Sequence, residues 1–210
     1  MPTADKTDLL KQHKQEYTAR RTPAAVTVSS GKYLAFDGQG RPGAEVFAPA
    51  YEALYPMAYT IKFARKAAGK DFKAGPPEGL YWLAGGGTDF PSASVDDWRW
   101  KMMIRVPTFI RDTDLAKARR TLAEKGKTGL FDEVALERLA EGQCVQVLHV
   151  GPYDQVGGAY GLLAEFVAEQ GLAFHGRPHE IYFSDPRRVP PERLRTVIRH
   201  PVRRKEKTRD

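Results

Sequence analysis

Glu180 and Tyr182 are the residues whose types and spacing first suggest chemistry. They lie two positions apart in HEIYF, residues 179–183, where aromatic and β-branched residues predict a short strand. Side chains two apart on a strand share a face, so the carboxylate and the phenol are expected on one side of the sheet. Ile181 and Phe183 are then expected to face the helix layer. Such a pair combines a general base with a hydrogen-bond partner for one ligand.

The usefulness of this carboxylate as a base depends on its surroundings. An aromatic, poorly hydrated pocket raises the pKa of a carboxylate toward neutral pH. The alternative interpretation makes Glu180 a surface carboxylate paired with Arg187 or Arg188, and Tyr182 an ordinary half-buried strand residue. The two arginines are otherwise expected to anchor the SDPRR turn to Asp185 or to a carbonyl, and the alternative for them is a place at the rim of the site that attracts anions.

The composition indicates a globular protein, with 41% hydrophobic and 28% charged residues among 210. No apolar run is long enough to span a bilayer, and the polar N-terminus lacks the apolar core of a secretion signal, so a cytoplasmic location is expected. The single cysteine, Cys144, excludes an internal disulfide and zinc sites built on cysteine pairs. The five histidines show no metal-ligand spacing, and neither a metal nor a cofactor is expected.

The net charge of +7 is concentrated at the C-terminal end. Residues 187–210 carry ten Lys and Arg against three Asp and Glu, whereas residues 1–186 carry 23 of each. A neutral body with a basic end is typical of a solvated tail. Nucleic acid is therefore not the expected partner.

Two β-α-β-β units follow one another along the chain. The first comprises the strand KYLAFDG, a helix over 53–68, and the strands PPEGLYW and WRWKMMIRVP. The second comprises CVQVLHVG, a helix over 154–170, RPHEIYF and RLRTVIRHPV. Pro56 is tolerated only in a first turn, so the first helix is expected to begin near residues 53–55. Asp154 is the expected N-cap of the second helix.

The predicted organisation is a polar arm over 1–24, a domain over 25–203 with repeats at about 30–110 and 132–203, and a basic tail over 204–210. A surface helix, DTDLAKARRTLAEKG, is predicted with Asp112 or Thr113 as N-cap, and FDEVALERLAEG is favoured as a strand over a helix. The predicted fold is α+β. Its antiparallel sheet has pseudo-twofold symmetry, with helices on one face and a ligand groove on the other. Glu78 is interpreted as the counterpart of Glu180 in the first repeat.

Five separated segments resemble, in order, the motifs of the GyrI-like small-molecule-binding family. They are EALYPMAYTIKF, PPEGLYW, WRWKMMIRVP, QVLHVGPYD and HEIYFSDPRR, and the resemblance covers about residues 30–203. It implies a tandem β-α-β-β fold in which a glutamate among aromatic residues receives flat, cationic, drug-like ligands. The sequence shows no helix-turn-helix segment and is most similar to the stand-alone members. Those members are associated with hydrolysis of cyclopropane-bearing DNA-alkylating natural products.

The chemistry implied by this resemblance assigns roles to several residues. Glu180 is expected to activate water, and Tyr182, Tyr153 or His149 to donate hydrogen bonds to the negative charge that develops on the ligand carbonyl. The flat body of the ligand is expected to stack on three aromatic side chains, Trp82, Trp100 and Tyr55. Glu78 is a further expected ligand contact. The alternatives are a structural role for His149, packing roles for the tryptophans, and no catalytic part for Glu78.

Three functions are therefore in view. The leading hypothesis is a hydrolase of cyclopropanoid alkylating compounds, and the alternative is a module that binds flat drug-like molecules without chemistry. A regulator that binds a protein partner, for instance a DNA topoisomerase as the family name suggests, is the third, and no sequence feature supports it directly.

Overall fold

The computed structural model describes residues 6–205. Its helices α1 to α5 are Leu9–Gln12, Lys14–Tyr17, Ala44–Ala67, Asp112–Glu124 and Gly157–Glu169. Its strands β1 to β9 are Ala24–Val28, Gly31–Gln39, Pro77–Leu83, Trp98–Val106, Ala135–Leu139, Gly142–Val150, Leu172–Phe174, His179–Tyr182 and Arg195–Arg204. Residues 1–5 of the predicted arm and 206–210 of the predicted tail lie outside the described residues. Among the helices described, we find none with the length and apolar character that crossing a membrane requires.

The chain divides into two compact units. Of the described residues, the first unit contains 6–13 and 31–139, and the second contains 14–30 and 140–205. The strand order is β3-β4-β2-β5 in the first unit and β1-β6-β9-β8 in the second, where β7 also pairs with the C-terminal end of β9. Neighbouring strands within each unit run antiparallel. The predicted α+β class is confirmed.

Both units repeat the predicted β-α-β-β pattern. In each, the last of the three strands lies between the first and the second, as β2-β4-β3 and as β6-β9-β8. The ambiguous segment after residue 131 forms strand β5, as favoured, and pairs with β2. Strand β1 pairs in the same way with β6. Each repeat therefore gains one strand beside its first.

Helix α3 begins at Ala44, about nine residues earlier than predicted, and contains both Pro49 and Pro56. The prediction of a start near residues 53–55 was wrong because an interior proline costs about 3 kcal/mol but does not forbid a helix. Apolar burial on both sides of Pro56 offsets this cost. Leu54 and Met57 are fully buried, and each such side chain contributes about 1.5–3 kcal/mol.

The other predicted helix starts also needed correction. The N-cap of α4 is Arg111, whose backbone N–H donates to the Asp114 carboxylate at 2.8 Å, and not Asp112 or Thr113. Helix α5 begins at Gly157 after a short 3-10 turn over Tyr153–Gln155, so Asp154 is not its N-cap. The sequence does not distinguish this 3-10 turn from the first turn of the helix, because the two share the same short-range residue preferences.

Helix α5 covers one face of the sheet of the second unit. Its apolar side packs with strand residues in a cluster of Val145, Val147, Ala159, Leu163, Val167, Ile198 and Val202. The opposite face meets helix α2, where Tyr17 makes an edge-to-face contact with Phe183 at 6.4 Å. Helix α2 thus lies over the sheet face opposite α5, the face for which the sequence predicted a ligand groove.

The first unit packs aromatic rings between α3 and its sheet. Trp100 is 2% exposed, lies edge-to-face on Phe47 of α3 at 5.0 Å, and stacks on Phe36 at 6.4 Å. Gly38 is its cross-strand partner. A Cβ at Gly38 would lie 2.1 Å from the indole ring. The missing side chain therefore makes room for the indole.

We expect Gly38→Ala to destabilise the protein by about 1–3 kcal/mol, the usual cost of overpacking. Gly161→Ala is the control. Apart from the chain neighbours and the helix's own backbone, no described atom lies within 4 Å of a Cβ there, and alanine in mid-helix is favoured by about 0.5–1 kcal/mol. Urea unfolding measures both. Equal midpoints for wild type and Gly38→Ala would contradict the packing described here.

A second stability prediction concerns His200, which stacks on Phe174 with ring centroids 4.3 Å apart. Burial, assisted by the His175 charge, lowers the pKa of His200 from 6.5 to about 4. The unfolded chain then binds a proton that the folded chain excludes, so stability falls as the pH drops from 6.5 to about 4. The loss is about 3 kcal/mol.

We expect His200→Gln, which cannot protonate, to lose less stability over this pH range than wild type, relative to each protein at pH 7. Urea unfolding at a series of pH values gives the two slopes. Parallel curves would show that His200 does not carry this pH dependence.

Candidate functional site

Glu180 lies on the side of the sheet that carries α5. It pairs with Ile198 across β8 and β9, and Ile198 packs in the cluster beneath α5. The expectation that Glu180 and Tyr182 face away from the helix layer was therefore wrong. The alternation along the strand was correct, but Ile181 faces the other side and is fully buried there.

Two phenols hold the Glu180 carboxylate. The Tyr160 hydroxyl of α5 donates to Oε1 at 2.9 Å, and the Tyr182 hydroxyl of β8 donates to Oε2 at 2.9 Å. The glutamate is half-buried. Both donors are neutral, so the charge of the carboxylate is hydrogen-bonded but not neutralised.

The two arginines considered as partners of Glu180 lie elsewhere. The Arg187 guanidinium binds Asp185 at 2.9 and 3.0 Å, and Arg188 Nε is 3.7 Å from the same carboxylate. The predicted anchoring of the SDPRR turn is confirmed. The pKa of Asp185 is lowered to about 2, first by the Arg187 hydrogen bond.

Burial raises the pKa of Glu180 above its ordinary value of 4.5. The hydrogen bonds from Tyr182 and Tyr160, and more weakly the charges of His149 and His179, act in the opposite direction without cancelling the effect of burial. The outcome is a carboxylate that is a stronger base than a solvated one.

Tyr153 and His149 lie on the same unit but play different parts. Tyr153 is 36% exposed and its ring meets that of Tyr182 edge-to-face at 5.6 Å. Burial, with the charges of Asp185 and Glu180, raises the pKa of Tyr153, so it remains a neutral donor. His149 Nε2 lies 2.9 Å from the Pro152 carbonyl, to which it must donate. This is the structural role given above as its alternative.

The remaining predicted site residues lie in the first unit. Trp82 and Glu78 are four residues apart on β3 and therefore share a face of the sheet. Their partners on β4 are Arg99 and Met103. Trp100 lies on the opposite face, toward α3. The two tryptophans therefore cannot stack on one ligand. Tyr55 is half-buried on α3, and its ring lies 6.0 Å from that of Tyr51.

The counterpart of Glu180 in the first repeat is Gly79, and not Glu78 as interpreted from the sequence. Aligning GPPEGLYW on GRPHEIYF without a gap pairs Gly79 with Glu180 and Tyr81 with Tyr182. The faces agree, because Tyr81 meets Phe47 of α3 at 6.3 Å just as Tyr182 lies on the α5 side. The Tyr81 hydroxyl lies 2.7 Å from where a Gly79 Cβ would be. The tyrosine is thus repeated and the carboxylate is not.

A buried ion network occupies the opposite face of β8. Glu141 accepts hydrogen bonds from His179 Nδ1 and Arg199 Nη1, each at 3.0 Å, and Arg199 also donates to the Glu16 carbonyl of α2. Burial raises the pKa of Glu141, but the charges and hydrogen bonds of His179 and Arg199 outweigh it and hold this pKa at about 2. The network fixes the strand that carries Glu180.

Sequence reasoning missed Tyr160 and this network. Tyr160 packs against the apolar cluster beneath α5. A hydroxyl among apolar side chains needs a hydrogen-bond partner, and that need was the available signal. For Arg199 the signal was an arginine that directly follows the apolar pair Val197 and Ile198 within a strand. Within residues 6–205 no group of three His, Cys, Asp or Glu side chains is placed to hold a metal ion.

Comparison with known proteins identifies the family. A model described as the GyrI-like small molecule binding domain matches residues 22–203. A hydrolase from Listeria innocua superposes with a TM-score of 0.85 at 32% identity, covering 95% of this chain and 100% of that one. An uncharacterized conserved protein of the same organism gives a TM-score of 0.86 at 33% identity, covering 94% and 100%.

A more distant likeness shows the fold alone. The C-terminal domain of EcmrR superposes with a TM-score of 0.57 at 15% identity, covering 88% of this chain and 98% of that domain. Comparison with the curated proteins found no match. The family model and the two Listeria structures together show that this chain belongs to the GyrI-like small-molecule-binding domain family.

Proposed function

We propose that this protein hydrolyses cyclopropane-bearing alkylating compounds, with Glu180 as general base. The observation that carries the proposal is the half-buried Glu180 carboxylate, which has a raised pKa and accepts hydrogen bonds from Tyr160 and Tyr182. The similar Listeria innocua protein described as a hydrolase supports the reaction class.

The reaction adds one water molecule across a strained carbon–carbon bond. Glu180 takes a proton from the water, whose oxygen bonds to a ring carbon. The ring bond breaks, and its electron pair moves to the conjugated carbonyl oxygen. That oxygen takes up a proton from solvent, and Glu180 returns its own proton to solvent. A positioned base contributes about 10²–10⁴-fold to such a step.

The three tyrosines around Glu180 have different roles in this reaction. Tyr160 and Tyr182 orient the carboxylate, because each donates to a different oxygen. Tyr153 stands beside Tyr182 with a neutral hydroxyl, and its 3.5 Å contact with the Ser184 carbonyl is too long to bind that hydroxyl strongly. It is our candidate donor to the carbonyl oxygen of the ligand.

The flat body of the ligand requires aromatic surface. Tyr153 is about one-third exposed and supplies part of that surface. Contacts from Trp82, Tyr55 and Glu78 of the first unit stay predictions. Trp100 is a weaker candidate, since its ring is nearly fully buried among core aromatics.

Binding without chemistry is the second candidate function, and one observation favours it. The hydrogen-bond partners of Glu180 are neutral phenols, so a flat cation would find an uncompensated negative charge beside aromatic rings. Such a protein would sequester a cationic drug-like molecule and release it intact. Product chromatography separates the two functions.

Replacing the base provides the first test. We expect Glu180→Gln to retain ligand binding, measured by isothermal titration calorimetry, and to lose about 10²–10⁴-fold in hydrolysis rate, because the amide cannot accept the proton. Glu169→Gln, at the exposed end of α5, is the matched control and should turn over like wild type. A Glu180→Gln protein with wild-type turnover, or a wild type no faster than buffer, would sink the hydrolase proposal.

The pH dependence of kcat/KM provides the second test. Glu180 must be ionised to act, so the acid limb should lie above pH 4.5, the ordinary carboxylate value. The Tyr160 hydrogen bond stabilises the ionised form, and Tyr160→Phe should therefore move this limb to higher pH. Tyr59→Phe, exposed on α3, should leave it in place. An unmoved limb in Tyr160→Phe would show that another group titrates.

A further inference from the structure

Helix α3 carries a row of aromatic side chains that stay partly exposed. They are four residues apart, which places successive side chains next to one another on a helix, and they are Tyr51, Tyr55, Tyr59 and Phe63. Tyr51 and Tyr55 are half-buried, whereas Tyr59 is 44% and Phe63 59% exposed. The ring centroids of Tyr51 and Tyr55 are 6.0 Å apart, and those of Tyr59 and Phe63 are 6.3 Å apart. Contiguous exposed apolar surface of this kind indicates an interaction site.

The exposed face of α3 also carries charges of opposite sign on either side of Tyr59. Glu52 and Lys66 each lie seven residues from Tyr59, so the three side chains are nearly in line and about 10 Å apart along the helix axis. Both charged residues are exposed, and neither side chain has an ion pair or hydrogen bond within residues 6–205. Arg65 of the same helix, by contrast, is bound by Asp114. The charges of Glu52 and Lys66 are therefore available to a partner.

This charge pattern is complementary to itself. When two α3 helices pack antiparallel about a twofold axis at Tyr59, Glu52 of each copy lies opposite Lys66 of the other. Tyr55 of each copy then lies opposite Phe63 of the other. A parallel pair would instead place each charge opposite a like charge, which is unfavourable, whereas the antiparallel pair also opposes the two helix dipoles favourably. The charges thus favour one direction and one register.

We propose that the exposed face of α3 binds a second copy of this chain, with the two helices antiparallel about a twofold axis at Tyr59. The proposal does not depend on the hydrolase function. The aromatic rings form the apolar centre of the interface, and the two pairs of Glu52 with Lys66 fix its direction. A helix of 24 residues is about 36 Å long and about 10 Å wide. This face is smaller than the roughly 800 Å² that each partner buries in a stable complex, so we expect a dissociation constant in the micromolar range.

Exchanging the charges tests the arrangement. Glu52→Lys alone places two cations opposite each other, and Lys66→Glu alone places two anions opposite each other. We therefore expect each variant to dimerise about 10-fold or more weakly than wild type. An equimolar mixture of the two variants should associate like wild type, because every facing pair then has opposite signs. Sedimentation equilibrium over about 5–500 µM measures these affinities. A mixture that associates no more tightly than either variant alone would overturn the antiparallel arrangement.

Removing the central ring tests the apolar part of the interface. We expect Tyr59→Ala to dimerise about 10-fold more weakly than wild type, because the ring at the twofold axis packs against its own copy. Leu162→Ala on α5 is the matched control, since Leu162 is also 44% exposed, and it should associate like wild type. A wild type that stays monomeric at every concentration would overturn the proposal and leave this face to a different partner. A dimer that Tyr59→Ala and the charge variants leave unchanged would overturn it as well, because the copies would then meet through another surface.

Discussion

The buried pairing of Glu141 with Arg199 and His179 is the constraint on which the candidate site depends. Buried charges must be paired, and removing one partner typically costs about 3–5 kcal/mol. Because strand faces alternate, a slip of β8 by one residue would exchange His179 with Glu180 and bring two carboxylates together. The network thus holds Glu180 on the opposite face, where the tyrosines are.

The two repeats show how one fold acquires a single charged site. Tyr81 and Tyr182 occupy matching positions, each on the helix side of its own sheet. Between strand and helix, the first repeat has Gly79 and aromatic packing, whereas the second has Glu180. Burial raises the pKa of this carboxylate, and the hydrogen bonds from the two phenols lower it. Its strength as a base therefore depends on both, and removing either hydroxyl would raise the pKa further.

Much of the architecture could be predicted, and the misses have physical causes. The repeat, strand β5 and the shared face of Glu180 and Tyr182 followed from periodicity. The start of α3 did not, because burial of Leu54 and Met57 offsets a proline penalty that local reasoning treats as decisive. Tyr160 was missed because its partner is 20 residues away and on another element.

The sequence by itself determined which side chains alternate along β8, which segments repeat, and that one repeat has a carboxylate where the other has glycine. These are properties of backbone period and residue order. Only the tertiary structure decided which face of the strand meets α5, because strand geometry is the same on both faces. That choice depends on the packing of Ile198 against α5 and of Arg199 against Glu141.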